Sequence, residues 1–103
     1  MVHAEFYQSD GLFRGFDISG HAGYAESGSD IVCASVSSAV QFAVNILAEF
    51  DCKPEMYVEE NLISCRIMAS ENTASAVLEV FRNHLVSILA EFPDTIEITI
   101  SEV

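Results

Sequence analysis

The sequence predicts an α+β fold, a two-layer sandwich in which two helices pack on a mostly antiparallel five-stranded sheet in the order ββαββαβ. Three observations carry that expectation. Five short segments alternate apolar and polar residues with the period of a strand. Two long segments repeat their apolar residues at helical spacing. Half of the 103 residues are hydrophobic, enough for one modest core and one domain over residues 1–103.

In the first segment Val2, Ala4 and Phe6 alternate with His3, Glu5 and Tyr7, which reads as a strand. Ser9-Asp10-Gly11 is turn chemistry, and Phe13 to Ser19 alternates again, so the two segments are expected to pair as a hairpin. Gly20 to Ser29 contains three glycines and reads as a mobile loop. Asp30 is placed as a helix N-cap, with the helix running to about Phe50. Val32, Val36, Val40, Ala43, Ile46, Leu47 and Phe50 form one stripe, and Ile31, Ala39, Phe42 and Val44 spread apolarity around the cylinder. A single sheet cannot cover such a helix, so the second helix or a partner subunit must cover the rest.

Lys53-Pro54 ends the helical segment. Met56 to Glu59 and Leu62 to Ala69 read as strands joined by a tight turn around Glu60-Asn61. Ser70 or Asn72 is expected to cap a second helix carrying Ala74, Val77, Leu78, Phe81, Leu85, Ile88, Leu89 and Phe92, which Pro93 stops. Thr95 to Ser101 is the last strand, with Ile96, Ile98 and Ile100 on one face. Phe6, Phe13, Phe16 and Phe42 are expected to be mostly core, with one or two available to line a pocket.

Sixteen acidic residues face four basic ones, a net charge of −12. Arg14, Lys53, Arg66 and Arg82 are scattered and form no basic patch, which argues against direct binding of nucleic acid or of anionic membranes. No uninterrupted apolar run approaches membrane-spanning length, and the N-terminus lacks the pattern of a signal peptide. Three cysteines at irregular spacing suggest reduced thiols and a cytoplasmic location. The acidity either serves solubility alone or attracts basic partners.

Chemistry concentrates in one place. His21 lies in Gly20-His21-Ala22-Gly23, and Cys33 follows twelve residues later in Asp30-Ile31-Val32-Cys33-Ala34. With Asp30 as N-cap, Cys33 would be the third helical residue. Unpaired backbone N–H groups and the helix dipole there would favour a thiolate and could hold an oxyanion. His21 could fold back as general base. Asp30 opposes a thiolate by its charge, or else orients His21 as a third member of the site. The same residues also fit a buried structural thiol and an ordinary loop histidine. Cys52 and Cys65 read as structural, and His3 and His84 as surface or interface residues. No pair of closely spaced ligands suggests zinc, and no phosphate-binding or dinucleotide motif suggests a cofactor.

The run Gly20-His21-Ala22-Gly23-Tyr24, then Gly28, then Asp30-Ile31-Val32-Cys33-Ala34 with Ser37 one turn later, resembles the ribosomal-processing cysteine protease family, often called Prp. The resemblance covers about residues 20–38. It implies a cytosolic bacterial endopeptidase that removes the N-terminal extension of a large-subunit ribosomal protein, the one conventionally numbered twenty-seven, cleaving after paired aromatic residues and before a small one. It implies Cys33 as nucleophile and His21 as general base, with Gly20, Asp30 and Ser37 at further motif positions. No metal or organic cofactor is implied. An acidic protease would attract a basic ribosomal protein, and cleavage efficiency should then fall with added salt. The over-apolar first helix suggests a homodimer with helices at the interface. Two rival readings are a non-catalytic ribosome-assembly module that binds the same basic partner and a thiol redox sensor built on Cys33.

Overall fold

The computed structural model describes residues 1–20 and 27–103, and for 27–30 the backbone alone. Its elements are β1 (Val2–Ser9), β2 (Leu12–Ser19), α1 (Ser27–Glu49), β3 (Pro54–Glu59), β4 (Leu62–Ile67), α2 (Glu71–Glu91) and β5 (Ile96–Glu102). The expected order ββαββαβ is therefore present. The strands form one mixed sheet in the order β3-β4-β2-β1-β5. The β1–β2, β2–β4 and β3–β4 pairs are antiparallel, and β1–β5 is parallel.

The hairpin β1–β2 carries an irregularity that simple alternation misses. Tyr7 pairs with Gly15 but Gln8 pairs with Phe13, so Arg14 is an extra residue in the ladder. That bulge turns Phe13 and Phe16, three residues apart, toward the same helix-bearing face. Both join Phe6 and Phe81 in an aromatic cluster with ring centroids 5.0–6.1 Å apart. Phe6 and Phe16 are wholly buried. Truncating either to alanine would cost about 3–5 kcal/mol, the usual range for buried aromatics. The cluster fastens α2 to the centre of the sheet. The displaced Arg14 reaches α2 from outside, its guanidinium 3.0 Å from Glu71.

Helix α1 begins three residues before the expected N-cap, at Ser27, so Asp30 is a helical residue. Its inner stripe is Val32, Val36, Val40, Ala43 and Leu47, all buried. Phe50 and Phe42, both expected in the core, are 58% and 68% exposed. Phe50 lies just past the last helical residue, where the chain turns away. Phe42 projects from the flank of α1 that faces α2. The segment 31–49 is long and apolar enough by composition to span a bilayer. Here its apolar stripe is committed to the sheet and to α2, which covers only part of the remaining surface.

At the end of α1, the Cys52 carbonyl accepts hydrogen bonds from the N–H groups of both Met68 and Ala69 at 3.0 and 3.1 Å. This ties the α1–β3 connection to the β4–α2 connection. Ser70 precedes α2 in left-handed conformation, φ 53°, and makes no side-chain cap. Its hydroxyl donates instead to the Asp51 carbonyl at 3.2 Å. The capping side chain expected from sequence thus fastens α2 to the end of α1.

The face of the sheet away from the helices carries a polar network across β1, β2 and β4. Tyr7 donates to Asp17 at 2.7 Å and to Glu5 at 3.0 Å, and Ser64 donates to Asp17 at 2.6 Å. Arg66 donates to Asp17 at 3.1 Å and lies 4.2 Å from the centre of the Tyr7 ring. Burial pushes the Asp17 carboxyl up, but the hydrogen bonds from Ser64, Tyr7 and Arg66 outweigh it and hold the group below the ordinary range. Burial, with the Asp17 and Glu5 hydrogen bonds, pushes the Tyr7 phenol up to about 12. These cross-strand pairs lock register in the middle of the sheet.

Candidate active site

The site is built at one end of the sheet, where β2 stops and α1 begins. Gly20 closes β2 at φ +80°, a conformation that side chains resist. A Cβ there would lie 2.5 Å from the Met1 carbonyl oxygen. The Gly20 N–H donates to the Asn61 carbonyl at 3.2 Å, in the β3–β4 turn. The strand end is thus pinned between the start of β1 and that turn. This supplies a local physical reason for the glycine of the Gly-His pair. His21 itself, with residues 22–26, lies outside the described residues. So does most of the expected loop, while Ser27 to Ser29 belong to α1.

Cys33 is the seventh residue of α1 and is half-buried. Its position corrects one expectation. Orphan N–H groups are confined to the first four helical residues, and the dipole effect fades within the first turn. With α1 starting at Ser27, helical geometry directs the Cys33 N–H to a carbonyl four residues back. Cys33 therefore lacks the first-turn setting expected with Asp30 as N-cap. Ser37, one turn further on, is exposed, so it does not fill a cramped interior space. The Asp30 side chain, expected either to oppose the thiolate or to orient His21, lies outside the described residues.

Cys52 and Cys65 differ sharply from Cys33. Both are wholly buried. Burial pushes the Cys65 thiol up to about 11, and burial with the nearby Asp51 charge raises Cys52. Buried, protonated thiols are poor nucleophiles, which leaves Cys33 as the thiol suited to chemistry. His3 is exposed and pairs with Glu97 at 2.9 Å on the outer face of the sheet. His84 is exposed on α2.

Helical angles place the flanks of α1. Ala34, Ser38, Phe42 and Ile46 line an open groove of about 840 Å³ against Val77 and Val80 of α2. Cys33 and Ser37 project from the opposite flank, beyond the buried stripe. The nucleophile candidate thus faces away from α2, toward the β3 edge of the sheet. That apolar groove is therefore not its pocket. Sequence reasoning missed this division, because an all-round apolar helix does not say which flank meets which neighbour. Among the described residues no cluster of His, Cys, Asp and Glu could hold a metal ion.

Comparison with known proteins gives this geometry a family. A profile described as Cysteine protease Prp matches residues 1–97. The Ribosomal processing cysteine protease Prp of Bacillus subtilis (strain 168) is 49% identical over 55 residues, 50% of this chain and 49% of that protein. The match thus spans about half the length of that relative. The crystal structure of SMU.848 from Streptococcus mutans superposes with a TM-score of 0.86 at 25% identity, covering 100% of this chain and 96% of that one. An essential ribosomal processing protease Prp from S. aureus, solved with a covalently linked product peptide, superposes with a TM-score of 0.86 at 23% identity. That alignment covers 98% of this chain and 100% of the S. aureus chain, and at this identity it bears on the fold alone. The profile match across nearly the whole length places this chain in the cysteine protease Prp family.

Proposed function

We propose that this chain is a cytoplasmic cysteine endopeptidase that removes the N-terminal extension of the basic large-subunit ribosomal protein conventionally numbered twenty-seven. The observation that carries the reading is the contrast among the three cysteines. Cys33 alone is not wholly buried, and it stands in the motif that resembles the family's nucleophile position. The S. aureus relative with its covalently linked product peptide supports the same chemical class.

In this reading the Cys33 thiolate attacks the scissile carbonyl, and the amine leaves with a proton from His21. The His21 imidazole then takes a proton from water, whose oxygen attacks the thioester and releases the new carboxylate and the thiol. Asp30 and Ser37 are assigned supporting positions, and Gly20 sets the exit of the His21 segment. Because α1 begins at Ser27, the Cys33 N–H is not assigned as an oxyanion donor. The net charge of −12 favours encounter with a basic substrate.

The same reading includes a homodimer joined through the α1–α2 groove. Exposed Phe42 and Val80, each 68% accessible, support that face as the interface.

The test is incubation with a synthetic peptide spanning the cleavage point of the ribosomal protein, followed by mass spectrometry. Cleavage that disappears in Cys33→Ala and in His21→Ala, with the fold intact by circular dichroism, is the expected result. Binding without cleavage would favour the assembly-module reading. Reversible oxidation of Cys33 with neither would favour a redox sensor.

A further inference from the structure

Among the described residues β3 is an outer strand of the sheet, so the outward-facing N–H and C=O groups of alternate residues have no ladder partner there. Its pairing with β4 decides which way its side chains point. Met56 stands opposite Cys65 and Val58 opposite Ile63. Cys65 is wholly buried on the helix side of the sheet, so Met56 and Val58 point to that side as well. Yet Met56 is 38% and Val58 68% exposed. Helix α1 therefore stops short of the outermost strand and leaves an apolar shelf one strand wide. Cys33 projects from the flank of α1 on the side of this shelf, away from α2. β3 runs back from the end of α1 toward its start, so Val58 is the shelf residue nearer the Cys33 end. The Asn61 carbonyl in the adjoining turn holds Gly20 at that same end.

The opposite face of β3 carries Glu55 and Glu59, and Glu60 follows in the turn. Two copies of β3 would bring these carboxylates together, so self-pairing is opposed. A basic strand is favoured by the same charges. We propose that the free edge of β3, with Met56 and Val58, is the docking strip on which an extended, basic peptide with apolar side chains at alternate positions adds as a sixth strand, delivering its scissile bond to Cys33. Backbone hydrogen bonds to the edge would hold the peptide. Its alternate side chains would lie on Met56 and Val58, as in other cases of strand addition. This rests on the proposed endopeptidase reading and names the surface that selects the substrate of that site.

Val58→Lys keeps a residue suited to an edge strand but opposes a basic peptide and removes the apolar contact. The expected result is a rise in KM of roughly ten- to hundredfold, from the contact area of one valine, with kcat within about twofold. Ile100→Lys, at the other outer strand, is the control and should leave both constants unchanged. An unchanged KM in Val58→Lys, or a rise confined to Ile100→Lys, would overturn the proposal. A second readout does not require cleavage. Titrating the same peptide into Cys33→Ala should shift the amide NMR signals of 55–59 and slow their hydrogen exchange. Absence of peptide turnover by the unmodified enzyme would refute the endopeptidase reading, while NMR would still decide the docking strip. Shifts elsewhere, or none, would overturn it.

Discussion

Gly20→Ala challenges two separate constraints at the end of β2. An alanine at φ +80° costs about 1–2 kcal/mol in left-handed backbone strain. Its Cβ would also sit 2.5 Å from the Met1 carbonyl oxygen, which is backbone and cannot swing aside like a side chain. Relieving that contact shifts the start of β1, where the Val2 N–H bonds the Thr95 carbonyl at 3.0 Å. Overpacking of this kind costs about 1–3 kcal/mol, so the sum is roughly 2–5 kcal/mol. At about 4–8 °C per kcal/mol, melting should fall by about 8 °C or more. Gly11→Ala isolates the first contribution, because Gly11 has φ +75° and the methyl group of an alanine there would meet nothing within 4 Å. Its expected cost is about 1 kcal/mol. Gly15→Ala isolates the second, because its Cβ would lie 2.2 Å from the Cys65 carbonyl oxygen in the β2–β4 ladder. Urea unfolding followed by circular dichroism measures all three. If Gly20→Ala is no more destabilised than Gly11→Ala, the close approach of Met1 is not a constraint on the site.

Two further predictions concern the rest of the molecule. Asp17 has a folded-state pKa below its unfolded value, so its contribution is complete above about pH 4 and is lost as pH falls through the depressed value. Asp17→Asn should flatten the fall of unfolding free energy with pH in that acid window, and an unchanged slope would show that the Tyr7–Ser64–Arg66 network does not stabilise the charge. The proposed dimer predicts that Phe42→Lys sediments as a monomer in analytical ultracentrifugation where the unmodified chain sediments as a dimer, with the melting profile of the monomer little changed, because the side chain is 68% exposed within one chain.

The elements themselves were readable because their signals are local. Val2, Ala4 and Phe6, or Val32, Val36 and Val40, carry a period of two or of nearly four that a single segment can display. The candidate site residues could be singled out for a related reason. The Gly-His and Asp-Ile-Val-Cys residues are contiguous, and their resemblance to a family needs no tertiary contact. Where local signals compete, reading failed. Asp30 is a good N-cap, yet Ser27 to Ser29 extend the helix ahead of it. Ser70 has the right chemistry for a cap, yet its hydroxyl is taken by Asp51 from another connection.

By itself the sequence determined the succession of strands and helices, the large acidic excess and the candidate nucleophile, since each is a property of one stretch of chain or of simple composition. Tertiary structure decided which apolar residues are covered. Phe16 and Phe42 look alike in sequence, but pairing opposite Phe6 places Phe16 in the aromatic cluster while Phe42 is left on an open flank. It also decided that β3 lies at the outside of the sheet and that Cys33 faces away from α2. Those facts depend on pairing between segments far apart in the chain, and the free energy of such pairing is shared by both partners rather than written in either one.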